Sequence, residues 1–222
     1  MLLHVHHIVH KNMEFKLVYL AHIMSFAFIF PAFRQYKGYY FLFFLALALS
    51  SISSHILFFL KINVNINLLL TSHLSLFAVQ YRYVKSKTNA LLLFVYIIIS
   101  AILYFYFSYK VEFIYFIFLH ITILGYILHR ALKSIHKYLE IRFFYFVLVI
   151  FETSVILKFI SILTQFSAGP YYFAATNIFE IFLAIFFMIF REDRPHFAYR
   201  LTNNKEFIED RINSEPYKNW DV

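Results

Sequence analysis

Long apolar stretches, separated by short polar ones, recur along the whole chain. Seven of them approach the roughly 20 residues with which an α-helix crosses a hydrocarbon core about 30 Å thick. They are Leu17–Phe33, Tyr39–Leu60, Ile66–Tyr81, Ala90–Tyr109, Phe113–Leu128, Phe143–Leu163 and Tyr171–Phe190, numbered segments 1 to 7 below. Helix breakers are rare, and the alternating pattern of a membrane β-barrel is not seen. The pattern predicts an all-α integral membrane protein, a bundle of seven transmembrane helices.

Lysines and arginines lie unevenly at the two sides of these segments. Eleven follow segments 1, 3, 5 and 7, namely Arg34, Lys37, Arg82, Lys85, Lys87, Arg130, Lys133, Lys137, Arg142, Arg191 and Arg194. The opposite side carries four, namely Lys11, Lys16, Lys61 and Lys110. Because cytoplasmic loops are enriched in positive charge, we expect the N-terminus outside and the C-terminus in the cytoplasm.

The chain divides into three parts around this bundle. Residues 1–12 form an N-terminal extension with four histidines, which either bind a transition metal or precede a true start at Met13. Residues 13–190 make up the seven-helix bundle. Residues 191–222 form a short cytoplasmic tail, in which Lys205–Ile212 is expected to be an amphipathic helix.

The composition supports a membrane location and excludes several classes of protein. Hydrophobic residues make up 62% of the chain and charged residues 14%, against about 25% charged in ordinary soluble domains. The absence of cysteine excludes disulfide scaffolds and cysteine nucleophiles. The net charge of +8 fits the cytoplasmic basic residues, so we expect no nucleic-acid partner. The many aromatic residues are expected mostly to face lipid.

Ionisable and amide side chains inside the predicted segments are the main functional candidates, because such residues are costly in a bilayer. Counting from the helix ends places Glu152, Glu180 and His73 near the middle. Toward the outer face lie His22, His55, His120, Lys158 and Asn177. We therefore expect a polar cavity in the outer half, lined by segments 1, 2, 3, 6 and 7. Its ligand- or proton-linked residues are predicted to be Glu152, Glu180, Lys158, Asn177, His73 and His55.

Residue spacing adds expectations for single helices. In segment 6, Ser154, Lys158 and Ser161 share one helical face, and Glu152 lies about 120° away from Lys158. Segment 6 should therefore have partners on two sides. The serine-rich turn of segment 2 is expected to make helix contacts. Segment 4 has no polar face and is expected to be the most lipid-exposed helix.

Two resemblances to known families are limited to few residues. Ser51-x-x-x-His55 is similar to the first motif of the alkaline-ceramidase and adiponectin-receptor superfamily of seven-helix zinc hydrolases. That superfamily also needs an aspartate near helix 3 and a final His-x-x-x-His, where this chain has His73 and the pair Asn177 and Glu180. The match covers five residues, so no family is assigned. Microbial rhodopsins are excluded, because segment 7 lacks the lysine that binds retinal.

Three functional hypotheses follow for this protein. The leading one is a sensor, receptor or transport-type subunit that binds a small ligand or ion, with no cofactor. The alternatives are a metal-dependent lipid hydrolase, with Zn²⁺ on His55, His73 and His120, and a subunit of an oligomeric pore. We expect the protein to be integral to the plasma (bacterial inner) membrane, in contact with the lipid bilayer. A cytoplasmic partner protein is predicted at residues 128–142 and 191–222.

Overall fold

The computed structural model of the protein describes residues 27–60, 65–81, 86–164, 169–192 and 198–201. Within these ranges the regular structure is helical, apart from two three-residue strands. The helices are α1 (Ile29–Arg34), α2 (Phe41–Phe59), α3 (Asn65–Gln80), α4 (Ser86–Tyr106), α5 (Tyr109–Tyr138), α6 (Phe143–Leu163) and α7 (Gly169–Ile189). The strands are β1 (Glu140–Arg142) and β2 (Ala198–Arg200). Each helix overlaps one predicted apolar segment, so the all-helical fold class is confirmed.

In the part of the chain that the structure describes, three helices are long and apolar enough to cross a membrane. The qualifying stretches of α4, α5 and α6 are Thr88–Tyr106, Lys110–Lys137 and Phe143–Leu163. Shorter apolar helical stretches, Phe41–Ser54 and Ala175–Ile189, lie in α2 and α7. This agrees with a membrane-associated helical protein. The seven spans and the outside N-terminus stay predictions.

Six helices form a closed ring, and one lies outside it. In order around the ring, α1, α2, α3, α5, α6 and α7 each pack against the next, and α7 returns to α1. Helix α4 packs on the outer side of α3. Only 17% of the apolar stretch of α4 is buried, whereas 44% of the apolar stretch of α6 is buried. Among the three candidate spans α4 is the least buried, which agrees with the expectation that segment 4 lies at the outside of the bundle.

Aromatic side chains fill the centre of this ring of helices. Phe43, Phe44 and Phe187 are almost fully buried, and the Phe44 and Phe187 rings lie 4.9 Å apart. Pairs of this kind add about 0.5–1.5 kcal/mol each. The expectation that the aromatic residues mostly face lipid is therefore too simple, because part of the aromatic excess forms the core. Without a hydrophobic effect between membrane helices, close ring packing is what holds them together.

Helix α5 is longer than its apolar stretch. It begins at Tyr109 and continues past Leu128 to Tyr138, a length of 30 residues, or about 45 Å. Leu139 ends it in a left-handed conformation with φ 51°. Strand β1 follows and pairs with β2 in antiparallel register. Residues 128–142 are therefore a helical extension and a strand rather than a basic loop, because hydropathy marks where an apolar run ends and not where a helix ends.

The same end of the bundle is held together by a buried carboxylate just after α7. Glu192 is 4% exposed and accepts hydrogen bonds from the Tyr145 hydroxyl (2.8 Å) and the Tyr39 amide (3.1 Å). Its own amide donates to the side-chain oxygen of Gln35, whose amide nitrogen donates to the carbonyls of Phe187 and Phe190. These contacts, named here the Glu192 junction, connect α6 and the end of α7 to the α1–α2 turn.

The raised pKa of the buried Glu192 carboxyl should make the free energy of unfolding depend on pH. Burial raises the pKa of Glu192, while the hydrogen bond from Tyr145 and the positive charge of Arg130 oppose that rise. The folded protein then keeps this proton at pH values where the unfolded chain has lost it. The contribution of Glu192 to stability is therefore present at acid pH and lost as the pH rises above about 4.3, the ordinary glutamate value.

The measurement is the free energy of unfolding in detergent micelles from about pH 4 to about pH 8, a range that spans ordinary carboxyl titration. Glu192→Gln is the reference, because it cannot titrate at this position. We expect the difference, wild type minus Glu192→Gln, to fall as the pH increases. A difference that stays constant or rises with pH would contradict the raised pKa.

Candidate functional site

Two pairs of ionisable side chains lie on different sides of α6. Glu152 is 2.8 Å from Nδ1 of His120 in α5. Lys158 is 2.7 Å from the carboxylate of Glu180 in α7 and donates a hydrogen bond to the Asn177 side-chain oxygen at 2.8 Å. Because Glu152 and Lys158 point about 120° apart on a 3.6-residue helix, each reaches a different neighbour. The prediction that segment 6 has partners on two sides is confirmed. These five residues are called the ionisable cluster below.

The ionisable cluster is shielded from solvent yet incompletely hydrogen-bonded. Glu152 and Glu180 have no exposed surface, and Asn177 is 1% exposed. Among the described residues, one oxygen of Glu152 (Oε1) and the amide nitrogen of Asn177 (Nδ2) have no hydrogen-bond partner. A buried polar atom in that state costs about 1–3 kcal/mol. Such atoms are the natural contact points for a small ligand or ion.

His120 links the cluster to a third helix. Its Nε2 lies 3.2 Å from the Ser72 hydroxyl in α3, while its Nδ1 faces Glu152. One proton therefore lies in the Nδ1–carboxylate contact, and a second can be held at Nε2 with Ser72 as acceptor. When Nε2 is unprotonated, the Ser72 hydroxyl becomes the donor instead. Both ring nitrogens of His120 therefore have a hydrogen-bond partner, whichever of the two groups donates in the Ser72 contact.

His73 belongs to a separate network between α3, α4 and α5. Its Nδ1 contacts the Leu69 carbonyl (2.9 Å) and the Ser100 hydroxyl (2.8 Å), and its Nε2 contacts the Tyr115 hydroxyl at 3.0 Å. The Ser100 hydroxyl donates to the Tyr96 carbonyl, so Nδ1–H is the donor and Nε2 accepts from Tyr115. This is a fully satisfied neutral imidazole. The described hydrogen bonds of His73 go to none of the residues of the ionisable cluster, and its ligand-linked role stays a prediction.

The remaining polar positions predicted from the sequence are the serines of α2, which the structure describes, and two histidines, whose side chains it does not. In α2, Ser51 donates to its own helix at the Leu47 carbonyl, while Ser53 and Ser54 contact Asn67 of α3. The serine-rich turn therefore makes helix contacts, as predicted. The side chain of His55 and the whole of His22 lie outside what the structure describes, as do residues 1–12 and 205–212.

No metal-binding group of three or more histidine or acidic side chains occurs among the described residues. His73 and His120 belong to different networks, although Ser72 and His73 are neighbours on α3. The Zn²⁺ site predicted from His55, His73 and His120 therefore gains no support from the two histidines whose side chains are described.

A groove on the outer surface of α6 and α7 lies next to the cluster. Its volume is about 410 Å³, and it is lined mostly by apolar side chains, among them Val149, Leu157 and Phe179. Ser154 connects the two features, because it lines the groove and lies 3.5 Å from Glu180. The arrangement differs from the expected open polar cavity. In the described ranges the polar groups are closed off, and α5 contributes His120 to them.

The charged residues of the site could be identified from the sequence, but the residues that contact them could not. His120 was expected to be a metal-ligand candidate near the outer face, yet it pairs with Glu152. Ser72 carried no signal, because serine hydroxyl groups in membrane helices are common and bond mostly to their own helix. Tyr115 carried none, because it is one of 18 tyrosines. Glu192 carried a weak signal, since it is an acidic residue directly after an apolar segment and between Arg191 and Arg194. Searches with this chain against protein-family models, curated proteins and solved structures find no match.

Proposed function

We propose that this protein is a seven-span membrane protein that binds a small ligand or ion at the ionisable cluster, acting as a sensor, receptor or transport-type subunit. The observation that supports this most is Glu152, a carboxylate with no exposed surface and one oxygen without a partner in the described ranges. A helix that only needed to pack would not require a buried carboxylate there, because ionisable groups at membrane depth are expensive.

The proposed membrane arrangement has the N-terminus outside and the C-terminus in the cytoplasm. Three helices long and apolar enough to cross a bilayer support the location. The excess of lysine and arginine on one side of the predicted segments supports the orientation. We propose the plasma membrane as the compartment, with the side rich in lysine and arginine facing the cytoplasm.

The chemistry of the cluster defines what it can bind. Lys158 pairs with Glu180, and His120 pairs with Glu152. The unpaired Glu152 oxygen can accept a hydrogen bond or contact a small cation, and the unpaired Asn177 amide can donate to an oxygen. A proton, a small cation or a compact polar solute are therefore the ligand classes proposed here.

Glu152→Gln tests this proposal. The protein is placed in lipid nanodiscs, and its unfolding temperature is measured at several pH values with sodium, potassium, chloride and a panel of small organic acids and amines. A solute at a hundredfold its dissociation constant adds about 2.7 kcal/mol to stability. We expect a solute or pH change that stabilises the wild type and has no effect on Glu152→Gln, because the amide cannot ionise.

Glu140→Gln is the matched control, since Glu140 lies in β1 and pairs with Arg142 outside the cluster. This variant should respond like the wild type. If Glu152→Gln and the wild type respond identically to every solute and pH, the cluster has only a structural role and the proposed function fails.

A further inference from the structure

The ribbon formed by β1 and β2 has an apolar face that the described protein does not cover. Ile141 lies opposite Tyr199, while Glu140 and Arg142 lie on the alternate positions of β1. Residues directly opposite in an antiparallel pair point to the same face. Ile141 is 45% exposed, Tyr199 71% and Leu201 48%. The Leu201 amide extends the ladder by donating to the Leu139 carbonyl.

The ribbon lies where a membrane-crossing helix begins. Arg142 ends β1, and α6 starts at the next residue. Phe143 and Phe146, in the first turn of α6, are 46% and 58% exposed and face lipid in the proposed arrangement. Ile141 precedes Phe143 by two strand residues, or about 7 Å. The polar headgroup layer outside the hydrocarbon core is about 5–8 Å deep on each side, so Ile141 falls within that layer.

The charges at this end favour an anionic surface. The α1–α2 turn exposes Arg34 and Lys37, and the exposed aromatic rings of Phe33 and Tyr36 lie beside them. Arg142 and Arg191 are half-buried at the same end. Aromatic side chains beside cations are typical of the membrane interface, where tyrosine is enriched and lysine and arginine meet lipid phosphates.

We infer that the apolar face of the β1–β2 ribbon, with Ile141, Tyr199 and Leu201, rests in the headgroup layer of an anionic lipid bilayer. A two-stranded ribbon is marginally stable in water. Insertion of its apolar face into the interface supplies the burial that the described residues do not. The start of the tail is then held flat against the membrane, next to the Glu192 junction. This inference requires the proposed membrane location and is independent of the ionisable cluster.

Site-directed spin labelling tests the inference, because the chain contains no cysteine. Tyr199→Cys and Ile141→Cys are labelled in nanodiscs made of equal parts of phosphatidylcholine and phosphatidylglycerol. The accessibility of each label to oxygen, which concentrates in lipid, is compared with that to a water-soluble nickel chelate. We expect several-fold less contact with nickel than at a water-exposed site, and more contact with nickel in discs of phosphatidylcholine alone.

Two reference labels define the scale. Phe118→Cys, in the apolar part of α5 and 64% exposed, should be accessible to oxygen and not to nickel. His136→Cys, exposed in the last turn of α5, should be accessible to nickel. Nickel accessibility at 141 and 199 equal to that at 136 would overturn the inference, and so would protection from both reagents, which indicates coverage by protein. If Phe118 were also open to nickel, the proposed membrane location itself would fail.

Discussion

Lys158→Met should lower the free energy of unfolding by about 3–5 kcal/mol, the usual effect of removing one partner of a buried ion pair. The substitution leaves the Glu180 carboxylate, which has no exposed surface, without the ammonium group 2.7 Å away. It also removes the donor that contacts the Asn177 side-chain oxygen. Methionine keeps an unbranched side chain only one heavy atom shorter than that of lysine, so the lost charge accounts for most of the effect. Equilibrium unfolding in mixed detergent micelles, followed by circular dichroism, measures it.

The double variant Lys158→Met/Glu180→Gln separates charge from packing. Replacing both charges removes the uncompensated carboxylate, so the double variant should be more stable than the sum of the single effects predicts, by about 0.5–3 kcal/mol. Lys110→Met is the matched control, because Lys110 is exposed in the first turn of α5. It should change stability by less than about 0.5 kcal/mol. Additive single and double effects would show that Lys158 and Glu180 do not act as a pair.

Glu192→Ala should be the second most damaging change. It removes the acceptor of the Tyr145 hydroxyl and of the Tyr39 amide. Each buried donor left without a partner costs about 1–3 kcal/mol. The Gln35 amide keeps its contacts with the Phe187 and Phe190 carbonyls, so the end of α7 should loosen without detaching. The measurements are the unfolding free energy and the rate of trypsin cleavage in the tail, which should rise.

Glu140→Ala provides the comparison at the same end of the bundle. Glu140 pairs with Arg142 at 3.4 Å, and both side chains are partly exposed, so its loss should cost no more than about 1 kcal/mol. If Glu140→Ala and Glu192→Ala lowered the free energy of unfolding equally, the burial of Glu192 and the two hydrogen bonds it accepts would add nothing to stability.

The helices could be predicted because apolar runs and helices nearly coincide in this chain. Segment 6 and α6 have the same bounds, Phe143–Leu163, and α3 differs from segment 3 by one residue at each end. Helix α4 could be placed outside because its apolar residues surround it on all sides. The bounds of a helix and the polarity of its surface depend on that helix alone, so the hydropathy along the chain is enough to predict them.

The partners of the charged residues could not be predicted, because they depend on which helices lie side by side. His120 was assigned to the outer half because segment 5 was assumed to start at Phe113. Helix α5 begins at Tyr109, which puts His120 about 16 Å along it, at the level of Glu152. A shift of one helical turn at a helix end thus moves a residue from the periphery of a site to its centre. His73 shows the same limit in another way, since its partners Ser100 and Tyr115 come from helices that were not expected to line the cavity.

In the proposed membrane arrangement, the division of the ionisable cluster between α6 and α7 also constrains how the chain enters the bilayer. Helix α6 carries Glu152 and Lys158, and a charged side chain near the centre of an inserting helix costs about 2.5–3.5 kcal/mol. When α6 is synthesised, α5 with His120 precedes it, whereas Glu180 has not yet been made. The short connection from Leu163 to Gly169 allows α6 and α7 to insert as one hairpin, with Lys158 paired to Glu180. A released chain that ends before residue 180 should therefore leave α6 poorly integrated, although its apolar stretch is complete.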